Sequence, residues 1–129
     1  MRGDRIRAGG YSRPVSTLST ILAAVLGVVF VAVGASKLAG QASVAANFER
    51  WGFAPPVLVA TGAVELLAGV MLLVGIAVPA LAISGVLLVL FVMTGALATH
   101  QRAHDPVGQR LPAVVLLALA LTLMVSLLP

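Results

Sequence analysis

Four apolar runs dominate this sequence, over about residues 18–38, 56–77, 78–100 and 111–128. Each is close to the ~20 residues that an α-helix needs to cross the hydrocarbon core of a bilayer. Hydrophobic residues make up 60% of the 129 and charged residues 9%, where a soluble domain carries about 25% charged residues. Too little polar surface is left to cover a water-soluble globule, so the pattern predicts a multi-pass membrane protein. The expected fold is all-α: an antiparallel bundle of four membrane-spanning helices, preceded by a basic tail over residues 1–17. Nearly every remaining residue lies in a span or a short connection, which leaves no stretch for a soluble catalytic domain.

The connections set the geometry. Gly75 and Pro79 bracket a tight turn between the second and third runs, so those two helices must be antiparallel neighbours. Pro55 and Pro56 suit the first turn of the second span, where a missing N–H has no partner anyway. Pro106 stops the third span before it, and Pro112 is expected in the first turn of the fourth. In the longest connection, GQASVAANFERWGFAPP, Val44, Phe48 and Trp51 fall on one helical face. This predicts a short helix lying in the membrane interface between the first two spans, anchored by Trp51. Gly27 and Gly34 in the first run, and Gly62 and Gly69 in the second, form matched small-residue stripes that favour close packing of these two helices.

Composition closes off several functions. The chain has no cysteine, which removes disulfides, thiolate chemistry and cysteine-ligated metal centres. The net charge of +4 does not point to nucleic acid, because four of the eight basic residues (Arg2, Arg5, Arg7, Arg13) sit in the tail beside a span, where they act as an orientation signal or anionic-lipid contact. With four spans both termini share a side, opposite Lys37, Arg50, Arg102 and Arg110. The basic tally is even, and the dominance of the first helix places both termini in the cytoplasm. The first run is too long for a cleaved leader, and Lys37 stands where a small-residue cleavage site would be.

Glu65 is the candidate functional residue. It lies mid-run, where a charged side chain costs about 2.5–3.5 kcal/mol by insertion scales and persists only with a partner, a polar surrounding or a proton. Lys37, the only lysine, ends the preceding run in the same membrane half and is the expected partner. His100 ends the third run on that side, and histidine is the residue type that can move a proton near neutral pH. The expectation is a polar ligand or proton pocket of Glu65, Lys37 and His100 opening toward the long loop, with Ser36, Thr61, Thr94, Thr99 and Trp51 as neighbours. The bland alternative is that Lys37 snorkels to the interface and His100 caps its helix. His100 and His104 have metal-ligand spacing on a helix, but Pro106 ends the helix there, and no metal site or catalytic group is expected.

The motifs FVAVGASKLAG, FERWGFAPP, GAVELLAGVMLLVG, GALATHQR and LPAVVLLALAL, in that order, resemble DoxX-like membrane proteins over roughly residues 20–128. The resemblance implies a four-span bundle whose polar signature falls on Lys37, Glu65 and His100. It also implies a link to quinone-associated membrane redox complexes. With no cysteine here, a redox role would run through a bound quinone or a partner subunit. The leading expectation is therefore a membrane subunit or accessory of a quinone-linked redox assembly in the cell membrane, with a soluble oxidoreductase or a second copy as partner. The alternatives are a structural protein with a Lys37–Glu65 helix clasp, and a small proton-coupled transporter.

Overall fold

A computed structural model describes residues 16–129, and these contain five α-helices. They are α1 (Thr17–Leu38), α2 (Ala42–Arg50), α3 (Pro55–Gly75), α4 (Pro79–Arg102) and α5 (Val107–Leu127). Four of them, α1, α3, α4 and α5, are long and apolar enough to cross a membrane. The basic residues of the tail, Arg2 to Arg13, lie outside the described residues.

The long helices pack in the order α1, α3, α4, α5, and α5 closes back on α1. The core is a single apolar cluster that includes Leu22, Leu26, Phe30, Leu72, Val86, Val89 and Leu123. Large apolar side chains such as Phe91 and Leu87 point outward, as expected of a surface solvated by acyl chains rather than water.

The closest packing is between α1 and α3, and the glycine stripes produce it. A Cβ at Gly34 would lie 2.5 Å from the Leu66 backbone nitrogen and 2.7 Å from the Gly62 carbonyl oxygen. A Cβ at Gly69 would lie 2.6 Å from the backbone nitrogen of Val31. Only hydrogen fits at these positions, so the two backbones meet almost directly. At the opposite end from the long loop, Ser16 caps α1, and Ser19 is hydrogen-bonded to Ser126 of α5 at 2.7 Å.

Three turns on the loop side share one construction. After α1, Gly40 (φ 68°) donates to the Lys37 carbonyl and Gln41 to that of Ser36. After α2, Gly52 (φ 83°) donates to Glu49 and Phe53 to Phe48. After α4, His104 (φ 55°) donates to Gln101 and Asp105 to His100. Each is a Schellman closure with a left-handed residue just past the helix end, a position usually held by glycine. His104 fills it with a side chain.

The fourth span corrects the expected boundary. It begins at Val107 rather than near residue 111, with Pro106 as the extended N-cap and Pro112 inside the helix. Either proline can precede or open a helix, and Pro106 takes that role because the left-handed turn at His104 has already released the chain from α4. Pro112 then leaves the Gly108 carbonyl without its helical donor. The third span runs two residues past His100, to Arg102.

Candidate functional site

Lys37 and Glu65 meet. Lys37 Nζ donates to Glu65 Oε2 at 2.6 Å, and the two side chains are 11% and 2% exposed. The placement follows from the glycine seam. Lys37 lies three residues after Gly34 and Glu65 three after Gly62, so each charged residue continues the face on which its helix approaches the other. A carboxylate brought into this seam has no water to turn to, and the ammonium supplies its counter-charge. Lys37 Nζ also sits 5.9 Å from the centroid of the Phe48 ring of α2. Phe48 is the buried residue of that short helix, and it roofs the pair from the loop side.

None of the four expected hydroxyl neighbours hydrogen-bonds this pair. Ser36 donates to the Val33 carbonyl, Thr61 to Val57, Thr94 to Leu90 and Thr99 to Gly95, at 2.7–2.8 Å. Each hydroxyl is satisfied by its own helix. No unpartnered buried polar side-chain atom remains among the described residues. A crevice of about 410 Å³ lies elsewhere, lined by Leu18, Leu121, Thr122, Val125 and Ser126.

His100 belongs to a second cluster, centred on Asp105. The Asp105 side chain is 3% exposed, and its carboxylate accepts from Arg50 Nη1 at 2.6 Å, Trp51 Nε1 at 3.1 Å and His100 Nδ1 at 2.7 Å. Its backbone carbonyl accepts from Arg110 Nε at 2.6 Å. Asp105 thereby ties the end of α2 to α4 and α5. Bonding to the Arg50 guanidinium holds its carboxyl well below the usual carboxylate range despite burial, and His100 and Trp51 pull the same way. The same bond raises Arg50 above its usual value. An ionised carboxylate only accepts, so Nδ1 of His100 carries a proton in this contact. The His100 ring meets Trp51 edge-on at 5.2 Å, Arg102 donates to the Trp51 carbonyl, and Trp51 packs on Phe48 at 5.3 Å.

The two clusters are joined through aromatic rings. Phe48 touches Lys37 on one side and Trp51 on the other, and Trp51 touches His100. His104 is left-handed and exposed, off the helical face of His100, which breaks the metal-ligand spacing. Asp105 and Arg50 were not among the expected site residues. One signal that points to them is an acid placed just before a proline at a span end, facing a loop with its own arginine.

The model of the DoxX-like family matches residues 21–123 of the chain. No curated protein and no solved structure matches it. The match takes in both polar clusters and most or all of each long helix, and the chain belongs to the DoxX-like family.

Proposed function

We propose that this DoxX-like protein is a membrane subunit or accessory of a quinone-linked redox assembly in the cell membrane, with its termini and basic tail on the cytoplasmic side. The observation that carries this is the closed Lys37–Glu65 pair in a chain without cysteine. The chain has no electron-carrying side chain of the thiol type, so electrons would pass through a bound quinone or a soluble oxidoreductase that it holds. The redox half of this reading comes from the family resemblance. The holding half is supported by a rigid α1–α3 seam and by a loop face organised around Asp105. Within it, Lys37 is the donor suited to a carbonyl head group.

The same pair supports a second reading, in which Lys37 and Glu65 only clasp α1 to α3. The pair's 2.6 Å contact within a glycine-packed seam favours it. A proton-coupled transporter needs a carboxylate open to water, and a 2% exposed Glu65 bound to an ammonium weighs against that.

Affinity purification from native membrane, with the co-purifying lipids, quinones and proteins identified, tests the first reading. A bound quinone or an oxidoreductase is expected, lost in Glu65→Gln while the protein stays abundant. Purification with neither would leave the clasp reading standing.

A further inference from the structure

We infer that α2 is a hinged lid over the Lys37–Glu65 pair, latched shut by Asp105. Three observations converge on this. First, α2 is bounded at both ends by glycines in the left-handed region, Gly40 and Gly52, and around each of them nothing lies within 4 Å of a Cβ position. No neighbouring atom packs against either glycine on that side, and a left-handed backbone there carries no steric cost for glycine. Second, Phe48 is the one buried side chain of α2, and it lies over the ammonium of Lys37. The rest of α2 is exposed or half-exposed, so little apolar burial holds it down. Third, its far end is fastened by polar contacts. Arg50 and Trp51 bond Asp105, and Arg102 from α4 bonds the Trp51 carbonyl.

A segment with few buried contacts between two glycine turns opens locally at lower cost than the bundle unfolds. Loss of the Asp105 contacts frees Arg50 and leaves Trp51 with the Arg102 bond to its carbonyl as its remaining hydrogen bond to α4, and α2 swings on Gly40 and Gly52 and carries Phe48 away from Lys37. The pair then faces the loop-side interface, where an amphiphile with a carbonyl head group would arrive. The lid rests on the preceding reading in taking Lys37–Glu65 as the functional centre. Its test reads access to Lys37 rather than redox activity, so the two fail separately.

Lys37 is the only lysine in the chain, and it therefore reports on its own cover. The full chain in nanodiscs is treated with a membrane-impermeant amine acetylating reagent, and modification at Lys37 is followed by peptide mass. Asp105→Asn and Arg50→Gln are expected to raise the rate by about tenfold or more, the effect of weakening one charge-assisted hydrogen bond. Glu49→Gln, an exposed neighbour outside the latch, leaves the rate unchanged. Equal rates in the native chain and both latch variants overturn the lid. Where the latch variants fail to fold, hydrogen exchange of the native chain decides. The α2 amides are expected to exchange about a hundredfold faster than those of α1 and α3, and exchange of α2 only together with α1 and α3 overturns it.

Discussion

Lys37 and Glu65 lie 28 residues apart in the chain, yet their charged atoms are 2.6 Å apart. Each is set three residues beyond a glycine of the seam that joins their helices. A buried ion pair of this kind is costly to break and far less costly to replace as a unit, because removing one partner strands the other without water.

Lys37→Met and Glu65→Leu, made singly, are therefore each expected to lose about 3–5 kcal/mol, and the double variant to recover most of that loss. Denaturant unfolding in detergent micelles measures all three. A double variant that loses the sum of the two single losses would mean that the two residues are not coupled.

The glycine seam predicts a sharp contrast. Gly34→Ala places a Cβ 2.5 Å from backbone that cannot yield and is expected to cost about 1–3 kcal/mol as an overpacked contact. Gly95, also within a long helix, has nothing within 4 Å, and Gly95→Ala is expected to be neutral or to stabilise by about 0.5–1 kcal/mol. The melting temperatures of the two variants should fall on opposite sides of that of the native chain or differ clearly in size.

His104 holds a left-handed turn without being glycine. The steric cost of that conformation for a residue with a Cβ is about 1–2 kcal/mol, so His104→Gly should raise stability by up to about 1 kcal/mol after the added entropy loss of glycine. A fall in melting temperature would show that the His104 side chain contributes something the turn geometry does not explain.

The Asp105 cluster sets a pH dependence of definite sign. Its carboxyl is depressed in the folded chain, by Arg50 first. The stability it contributes is fully present above the unfolded value of about 3.9 and is lost as pH falls from there toward the folded value. Trp51 is the only tryptophan and donates to this carboxylate, so its fluorescence reports the change. The emission should hold steady from neutral pH to about 4 and shift below it, and Asp105→Asn should remove the shift. A shift that survives Asp105→Asn would remove Asp105 as its cause.

Much of this architecture is legible in the sequence, for physical reasons specific to particular residues. The spans are legible because bilayer thickness converts directly into run length. The α1–α3 seam is legible because Gly27, Gly34, Gly62 and Gly69 repeat at helical spacing, and Glu65 shares the face of Gly62 and Gly69. Hydroxyl partners are less legible. Any threonine in a helix can bond the carbonyl four residues back, and depth in the membrane says nothing about which way Thr61 or Thr94 turns. Asp105 is hidden for a different reason. Its burial depends on a left-handed turn at His104, and nothing about a histidine advertises that conformation. The same turn decides between Pro106 and Pro112 as the start of α5.

The pairing of α1 with α3 also has a consequence for how the protein is made. Chains enter the bilayer from the N-terminus as they are synthesised, so α1 arrives before the carboxylate of Glu65 exists in a completed span. Lys37 sits at the last turn of α1, where its stem can hold the ammonium among the headgroups until α3 inserts. The charge that anchors the finished bundle is thus placed where a half-made one can tolerate it.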